Sequence, residues 1–593
     1  MILILGGTTE GRLAVRVADA AGSPYWYSTR GDQQQIECRN GAHVTGGMDE
    51  AAMAAFCTGH GIRLLVDAAH PFATELHRTV ASVAESLDLP VVRVERTYPD
   101  RDVIPGSDRE SLRWCDDYAD AIRQLEADGI TRLLALTGVQ TIGKLRDYWE
   151  RHDCWFRILR REESQEKAER QGFPANRLVY YEEDDEASLI ARIHPQAILT
   201  KESGESGGFS QKVTAARAAG IPLYVVRRPA LPAGFEAVTG EHGLRRAIER
   251  LVPGFFPLRS GFTTGACATA AAKAALLALL GKQVGETVEV LFPDGETLSL
   301  PVTDVVPGRG TVVKDAGDDP DVTNGSAIVA TVAFSDTPGI HFLQGEGVGR
   351  VTLPGLGIPV GGPAINRVPR QMMEQNLSAF YDGGLDVTIS VPGGRELAQR
   401  TFNPKLGIVD GISIIGTSGI VRPFSNEAFV DAIRREIEVA VAIGVEHLVI
   451  NSGAKSEANL KARFPDLPPQ AFVHYGNFIG ETLKIAAEHH IPKVSMGIMV
   501  GKAVKLAEGH LDTHSKSVVM NKDFLKEVAE AAGCSPAAAA VIDRMTLARE
   551  LWTALDEEDA RRFFPALRDC CLRVCLTVYP SASGELTLLL VEE

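Results

Sequence analysis

The first half of the chain alternates short apolar runs with amphipathic segments, such as residues 74–88 and 210–219. This alternation predicts parallel strands with helices on both faces of each sheet. The predicted strands are residues 1–5, 25–28, 64–67, 91–94, 132–137, 155–159, 197–200 and 223–226. A polar break near residues 99–108 predicts two Rossmann-like lobes of four or five strands each, at about 1–105 and 106–250.

The pattern changes after residue 250. Proline and glycine in residues 251–258 predict a linker, and an alanine-rich helix is predicted at 266–280. Short alternating strands at 327–334 and 387–391 then favour an α+β lobe. Further along the chain, the predicted strands are 412–415, 447–451, 471–474, 493–499, 572–579 and 585–591, and the predicted helices are 426–443 and 478–489. The fold class is therefore α/β, with an α+β lobe and a Rossmann-like α/β lobe making up a second domain at 259–593.

Composition narrows the class of protein. The 593 residues are too many for one hydrophobic core. The formal charge of −16 argues against nucleic acid and anionic membranes as partners of the whole surface. The chain opens on an apolar run without preceding positive charge, and no apolar stretch is long enough to span a bilayer, so we expect a cytoplasmic protein.

The nine cysteines have no spacing typical of a disulfide framework or a zinc site. Cys570, Cys571 and Cys575 cluster, but no second cysteine or histidine pair stands near them. Buried or free thiols are favoured over a metal site, and we expect no metal.

A glycine-rich turn follows the first predicted strand. Gly6 and Gly7 allow a phosphate to approach the backbone, and Thr8 and Thr9 precede a helix whose first N–H groups would face that phosphate. The spacing is not the usual Gly-x-Gly-x-x-Gly. A tight turn without a ligand therefore remains an alternative.

The end of the second strand bears on the choice of cofactor. A Rossmann fold that prefers NAD usually has an acidic residue there, which binds the ribose 2′-hydroxyl. This chain has Ser28, Thr29 and Arg30 instead. A cation with two hydroxyls suits a 2′-phosphate, so NADPH is favoured over NADH.

Two further segments follow buried strands at the edge where open α/β folds bind ligands. His70 lies between a strand end and a helix start and is the candidate proton donor, with a purely structural histidine as the alternative. Lys201, Ser203 and Gly204 belong to a loop rich in glycine and hydroxyls, and Lys212 adds positive charge for a substrate. The alternative for this loop is a flexible surface segment.

These segments carry a resemblance. The sequences Leu-Gly-Gly-Thr-Thr-Glu-Gly, Asp-Ala-Ala-His-Pro-Phe-Ala and Thr-Lys-Glu-Ser-Gly resemble the precorrin-6A reductase family over about residues 1–250. The resemblance implies two Rossmann-like lobes with a tetrapyrrole between them, and reduction of a ring double bond by a hydride from a nicotinamide. It implies no particular catalytic residue.

The second half opens on hydroxyls and glycines before a helix. Thr263 and Thr264 are candidate helix caps with a nearby anion site for a substrate. The turn 416–419, made by Gly416, Thr417, Ser418 and Gly419, follows a predicted strand and is the first choice for S-adenosylmethionine. The cations available for a polyacid substrate are Arg350, Arg367, Arg370, Arg395 and Lys405. The acidic segment 314–321 is interpreted as a turn rather than a Mg²⁺ or Ca²⁺ site, because its spacing is not that of an EF-hand.

Many separate motifs of this half occur in the same order as in the cobalt-precorrin-5B (carbon-1) methyltransferase family. The resemblance covers roughly residues 257–593. The motifs include Gly-Glu-Gly-Val-Gly-Arg-Val-Thr, Val-Pro-Gly-Gly-Arg, Gly-Thr-Ser-Gly, Tyr-Gly-Asn-Phe-Ile-Gly and Asp-Thr-His-Ser. The resemblance departs at Ser418, where a second threonine is expected, although the hydroxyl is kept. It implies S-adenosylmethionine as methyl donor and a cobalt-corrinoid substrate.

Together the two resemblances imply a bifunctional enzyme of anaerobic cobalamin biosynthesis. Methylation of cobalt-precorrin-5B would be followed by reduction of cobalt-precorrin-6A to cobalt-precorrin-6B, with other corrin-pathway enzymes as candidate partners. Two alternatives stay open. The reductase-like half could be a non-catalytic docking module, or the whole chain could be a corrinoid- or nucleotide-binding protein without activity.

Overall fold

A computed structural model describes residues 1–31, 36–98, 112–182, 185–514 and 520–591. The predicted polar break at 99–108 lies outside these residues. The chain divides into two compact units, Met1–Pro257 and Leu258–Glu593. Each unit is described separately.

The N-terminal unit is built from strands and helices in alternation. Its strands are β1 (Ile2–Leu5), β2 (Tyr25–Thr29), β3 (Gly41–Thr45), β4 (Leu64–Asp67), β5 (Val91–Glu95), β6 (Leu112–Cys115), β7 (Arg132–Ala135), β8 (Asp153–Ile158), β9 (Leu178–Tyr180), β10 (Ala197–Lys201), β11 (Leu223–Val226) and β12 (Phe235–Thr239). Its helices are α1 (Thr9–Asp19), α2 (Glu50–Gly59), α3 (Thr74–Leu87), α4 (Tyr118–Ala127), α5 (Arg146–Trp149), α6 (Glu162–Arg170), α7 (Glu186–Ile193), α8 (Phe209–Ala218) and α9 (Gly240–Leu251).

These strands form two six-stranded sheets, ordered β12-β5-β4-β1-β2-β3 and β6-β11-β10-β7-β8-β9. All neighbouring strands are parallel. In the first sheet the strand order reverses between β1 and β4, and in the second between β7 and β10. Ligands of open α/β sheets bind outside the carboxyl ends of the strands at such a reversal. The predicted pair of Rossmann-like lobes is confirmed.

The predicted lobe boundaries need correction. The second lobe does not run to residue 250, because β12 pairs with β5 and α9 packs against α1 of the first lobe. The predicted linker 251–258 is only partly exposed. Val252, Phe255 and Phe256 are each at most 5% exposed and belong to the core of the first lobe, with Ile2 and Ile4. An apolar segment interrupted by proline and glycine can end a domain as well as join two.

The C-terminal unit begins with an α+β lobe and ends with an α/β lobe. Its strands are β13 (Gly261–Phe262), β14 (Thr287–Leu291), β15 (Thr297–Pro301), β16 (Thr303–Val306), β17 (Arg309–Val313), β18 (Ala327–Ser335), β19 (Ile340–Gln344), β20 (Arg350–Val351), β21 (Gly384–Ser390), β22 (Ile408–Val409), β23 (Ile420–Val421), β24 (His447–Asn451), β25 (Phe472–His474), β26 (Lys493–Met499) and β27 (Glu585–Val591). Its helices are α10 (Thr264–Leu279), α11 (Arg367–Ser378), α12 (Gly394–Ala398), α13 (Asn426–Ala442), α14 (Ala454–Arg463), α15 (Ile479–Glu488), α16 (Val500–Ala507), α17 (Lys522–Ala531), α18 (Pro536–Arg544), α19 (Leu551–Ala554) and α20 (Glu557–Cys575).

The alanine-rich helix α10 is the centre of the α+β lobe. It packs against β17, β18 and α11, and its small side chains are almost all buried. The five-stranded sheet that it supports is mixed, with order β16-β17-β18-β21-β19. The α/β lobe holds a parallel sheet with order β25-β24-β26-β27.

Two predicted strands of this unit are wrong. Residues 412–415 make only isolated bridges, from Ile412 to Val348 and from Ile414 to Ile365. Residues 572–579 continue helix α20 and the turn after it. Short apolar runs are ambiguous between helix and strand, and here the long amphipathic pattern that starts at Asp556 prevails.

Candidate functional sites

The glycine turn after β1 has one open face. Gly7 adopts a φ of +96°, and a Cβ there would have no neighbour within 4 Å. A Cβ on Gly6, by contrast, would overlap the ring of Tyr27. Thr8 caps α1, since its Oγ1 accepts from Gly11 N–H (3.1 Å) and donates to the Ala68 carbonyl (2.6 Å). Gly6 and Thr8 therefore fix the turn, while Gly7 and the exposed Thr9 present it to a ligand.

The end of β2 places two hydroxyls beside an exposed cation. Ser28 and Thr29 are buried, and Arg30 is exposed. The Thr29 hydroxyl donates to the Gly31 carbonyl (2.8 Å) and lies 2.7 Å from Nε2 of His43 on β3. Sequence reasoning did not single out His43, which brings a second basic side chain to this strand end.

The carboxyl edges of the two sheets meet through Arg96, which follows β5. Its guanidinium donates to the Ser203 carbonyl beyond β10 (2.8 Å) and lies 3.1 Å from the carboxylate of Glu10. Ser206 donates to the same carboxylate (2.6 Å). Burial alone would raise the pKa of Glu10, but the Ser206 hydroxyl and Arg96 outweigh it and the pKa is lowered. The start of α1, which follows the predicted glycine turn, therefore borders the loop after β10.

His70 and Lys201 lie in this region from opposite lobes. His70 Nδ1 accepts the Phe72 N–H (3.1 Å), so the ring proton of the neutral imidazole is on Nε2. Burial, with Lys201 and Arg96 nearby, lowers the pKa of His70 to about 3. Lys201 Nζ lies 5.4 Å from the centre of the Phe72 ring, and burial together with Lys212 lowers its pKa to about 8.

Three other predicted residues of the loop are engaged in internal contacts. Ser203 Oγ donates to the Gly207 carbonyl (3.2 Å), and a Cβ on Gly204 would press on Arg96. Lys212 is 6% exposed and donates to the Gly207 carbonyl (2.8 Å). These residues shape the loop from within, whereas Gly7, whose N–H donates to the Tyr27 hydroxyl (3.0 Å), leaves open space beside its Cα.

A buried charge network that sequence reasoning missed supports this edge. Asp67 is fully buried and contacts His77 Nδ1 (2.7 Å) and Arg93 (2.9 Å). Arg93 in turn donates to Glu95 (3.0 Å). An arginine inside the apolar run of β5 was the available signal, because a buried charge needs a partner.

In the C-terminal unit, the turn 416–419 packs on the start of α10. Thr263 N–H donates to the Gly419 carbonyl (3.0 Å), and Gly265 N–H donates to the Ile415 carbonyl (2.9 Å). Thr264 Oγ1 accepts the Ile415 N–H (2.9 Å). The structure thus brings the predicted cofactor turn and Thr263–Thr264 together, but through their own hydrogen bonds.

Neighbouring side chains occupy the space beside both glycines of this turn. A Cβ on Gly416, whose φ is +130°, would overlap the Thr263 side chain, and one on Gly419 would meet the Phe292 ring. The turn leads into strand β23, not into a helix. Only Thr417 and Ser418 of the four are exposed.

Two of the predicted substrate cations converge on Asp410. Arg395 lies 3.0 Å from the Asp410 carboxylate and Arg350 lies 3.9 Å from it. Asp410 has a φ of +68° and lines an open pocket of about 430 Å³. The pocket is lined by Gln344, Gly345, Glu346, Gly347, Val348, Gly393, Gly394, Arg395, Glu396 and Asp410. Arg367 is exposed at the first turn of α11.

Other candidate groups are already paired. Lys405 forms an ion pair with the buried Glu436, and Arg370 donates to the Ile365 carbonyl (2.8 Å). In the acidic segment, Asp321 pairs with the buried Lys314 (2.7 Å). All nine cysteines are free thiols. Within the part of the chain that is described, no helix has both the length and the apolar character needed to cross a bilayer.

Three family models match the chain. The model described as Precorrin-6x reductase CbiJ/CobK matches residues 1–249, CbiD matches 254–423, and CbiD, C-terminal domain, matches 512–592. A cobalt-precorrin-5B C(1)-methyltransferase of Prosthecochloris aestuarii is 44% identical over 349 residues, which cover 57% of this chain and 95% of that relative. The methyltransferase of the same name from a Geobacillus species is 43% identical, covering 56% of this chain and 92% of the relative.

Two solved structures are similar to separate parts of the chain. The cobalamin biosynthesis protein CbiD of Archaeoglobus fulgidus is 30% identical with a TM-score of 0.25, covering 44% of this chain and 83% of that one. A CobK precorrin-6A reductase is 21% identical with a TM-score of 0.35, covering 42% of this chain and 97% of that one.

The chain is therefore a two-unit enzyme of cobalamin biosynthesis, with a reductase of the Rossmann type and a methyltransferase in one polypeptide. Its C-terminal unit belongs to the cobalt-precorrin-5B C(1)-methyltransferase family, CbiD, and its N-terminal unit matches the model of the precorrin-6x reductase family, CbiJ/CobK, over residues 1–249.

Proposed function

We propose that the chain catalyses two consecutive steps on one cobalt-corrinoid. The C-terminal unit would transfer a methyl group from S-adenosylmethionine to carbon 1 of cobalt-precorrin-5B. The N-terminal unit would then reduce the cobalt-precorrin-6A so formed to cobalt-precorrin-6B with NADPH. The observation that carries this proposal is that each unit matches its own family, and the resemblance to the two families implies consecutive steps.

The residues of the first lobe fit a dinucleotide. The open face of Gly7 leaves room for a pyrophosphate beside the start of α1, and the exposed Arg30 is available for a 2′-phosphate. The Thr29 hydroxyl and His43 stand next to that position. These groups support NADPH over NADH, since no acidic residue occupies positions 28–30 to hold a 2′-hydroxyl.

NADPH bound there would supply the hydride, and the chain must supply a proton to the neighbouring carbon. His70 was the sequence candidate, but with a pKa of about 3 its ring is neutral near pH 7, and a neutral Nε2–H is a weak acid. Lys201, with a pKa of about 8, is mainly an ammonium at that pH and is better matched to give a proton. We assign the proton donor to Lys201 and a hydrogen-bonding role to His70.

The pocket beside Asp410 supports a site for the carboxylates of the corrinoid in the C-terminal unit. Arg350 and Arg395 share one aspartate there, and a guanidinium can exchange such a partner for a substrate carboxylate. Methyl transfer is an in-line displacement, so we expect positioning of the two reactants to contribute most of the rate acceleration.

Anaerobic incubations with one cofactor at a time test the assignment. The full-length protein with cobalt-precorrin-5B and S-adenosylmethionine should give a product with one added methyl group by mass spectrometry. NADPH without the methyl donor should leave the substrate unchanged, and both cofactors together should add one methyl group and two hydrogens. Methylation without reduction would favour the alternative in which the reductase-like unit is a docking module.

A further inference from the structure

The parallel sheet of the C-terminal unit has a carboxyl edge that could bind a ligand. The turn 416–419, which the sequence favoured for S-adenosylmethionine, does not lie in this sheet. In the order β25-β24-β26-β27, the chain passes from β24 to β25 on one side and to β26 on the other. The strand order therefore reverses between β24 and β26. A crevice outside the carboxyl ends of the strands is the usual ligand position at such a reversal.

Asn451, the last residue of β24, joins two turns at this edge. Its carbonyl accepts the Tyr475 N–H (2.9 Å), and its Oδ1 accepts the Gly453 N–H (3.2 Å). Ser456 Oγ also accepts from Ser452 and Gly453 (3.1 Å each). The two turns are thereby held in a fixed relation, and Ala454 and Lys455 at the start of α14 are exposed.

An exposed aromatic ring borders the second turn. Phe429 on α13 is 36% exposed, and a Cβ on Gly476 would lie 2.8 Å from its ring. Phe478 lies 5.4 Å from Phe429 between ring centres, and His474 lies 6.1 Å from it. A partly exposed aromatic face of this kind suits a stacked purine.

Two buried polar atoms near the turns lack hydrogen-bond partners among the described residues. Thr513 is 2% exposed and its Oγ1 is one of them, while its N–H donates to the Asn477 carbonyl (3.2 Å). The other is Nε2 of His474, which lies 3.5 Å from the position of a Cβ on Gly453. Buried polar atoms are nearly always partnered, so two orphans beside one crevice point to a polar ligand.

The crevice also has a place for a carboxylate. Lys502, after β26, donates to the Gly476 carbonyl and brings an ammonium to the same turn. The N-terminus of α14 adds the positive end of a ten-residue helix. At the rival turn 416–419, the amides of Thr263 and Gly265 at the start of α10 donate to carbonyls of that turn and its neighbour Ile415.

We propose that S-adenosylmethionine binds in this crevice, defined by Phe429, Gly453, His474, Gly476, Lys502 and Thr513. The adenine would stack on Phe429, and the methionyl carboxylate would face Lys502 and the start of α14. The inference rests on the proposed methyl transfer and assigns a different place for its donor than the turn 416–419.

Calorimetric titration of the full-length protein with S-adenosylhomocysteine tests the site without turnover. Phe429→Ala should weaken binding at least tenfold because the stacking face is lost. Thr513→Val, which keeps the shape and removes the hydroxyl, should weaken it several-fold. Phe334→Ala removes a half-exposed ring elsewhere in the same unit and is the matched control, with unchanged affinity expected.

The outcomes separate the site from the function. Wild-type protein that binds neither S-adenosylhomocysteine nor S-adenosylmethionine would overturn the proposed methyl transfer and this site with it. Binding that survives both Phe429→Ala and Thr513→Val would overturn the site alone. So would a loss of binding confined to Thr417→Ala or Ser418→Ala, which would return the donor to the turn 416–419. Ultraviolet cross-linking of methyl-labelled S-adenosylmethionine should label peptides containing Phe429 or residues 474–478.

Discussion

The glycine turns at residues 6–9 and 416–419 look alike in sequence and differ in structure. Both combine glycines with hydroxyls beside a helix start, yet Gly7 has an open face and Gly416 is covered by Thr263. The first turn can admit a phosphate, whereas the second holds α10 in place. A glycine in a motif marks close approach of something to the backbone, and only the fold decides whether that partner is a ligand or the protein itself.

The chain divides into two compact units, and truncation near their boundary tests this division most severely. A fragment of residues 1–257 should fold, whereas one of residues 1–252 should lose about 3–6 kcal/mol of stability, because two buried phenylalanines, Phe255 and Phe256, are removed. Chemical denaturation followed by circular dichroism measures the difference. Equal stability of the two fragments would show that these rings are not part of the first core.

A side chain at Gly416, in the turn 416–419, should destabilise the C-terminal unit. Gly416→Ala places a Cβ against Thr263 at a φ of +130°, and we expect a cost of about 2–4 kcal/mol in unfolding of the C-terminal unit. The midpoint of thermal unfolding should fall accordingly. A stable Gly416→Ala protein that had lost affinity for S-adenosylhomocysteine would break the comparison.

A side chain at Gly7, in the turn 6–9, should cost little stability but weaken the binding of NADPH. Gly7→Ala meets no neighbour, so only the backbone strain of about 1–2 kcal/mol is expected. The added methyl group would occupy the proposed path of the pyrophosphate, and NADPH affinity should fall at least tenfold. Fluorescence titration with NADPH measures this, with binding of S-adenosylhomocysteine as the internal control. Unchanged NADPH affinity would place the cofactor elsewhere.

Arg30, at the end of β2, tests whether the protein prefers NADPH or NADH. Arg30→Asp should weaken NADPH binding and favour NADH, because a carboxylate repels a 2′-phosphate and can accept from a 2′-hydroxyl. Arg30→Lys keeps the charge and is the matched control. A wild-type preference for NADH would contradict the assignment.

The smallest effect is a pH dependence of the reduction. The pKa of Lys201 is lowered to about 8, and the ammonium is the form that can give a proton. The rate of reduction should therefore be constant below this value and fall as pH rises through it. Lys201→Arg keeps the charge but holds its proton, so turnover should be lost while NADPH still binds. A rate that is unchanged between pH 7 and pH 9, measured under single-turnover conditions, would remove Lys201 from this role.

The sequence allowed much of the architecture to be predicted, since apolar runs such as Ile2–Leu5 that alternate with amphipathic segments favour buried parallel strands. It could not show that β12 returns to the first sheet, because alternation does not say which sheet a strand joins. Nor could it show the ion pair between Arg96 and Glu10 or the contact of Gly416 with Thr263, because each joins residues that are far apart in the sequence. The strand end at Arg30 and the loop at Lys201 were accessible to sequence reasoning because strand ends share one sheet edge.

One chain is proposed to perform both steps in succession. The decisive experiment is one anaerobic incubation of the full-length protein with cobalt-precorrin-5B, methyl-labelled S-adenosylmethionine and NADPH deuterated on the nicotinamide. A corrinoid carrying both the labelled methyl group and one deuteron, identified by mass spectrometry, is the predicted product. A corrinoid with the methyl label alone would contradict the reductase assignment, and one with neither label would contradict both.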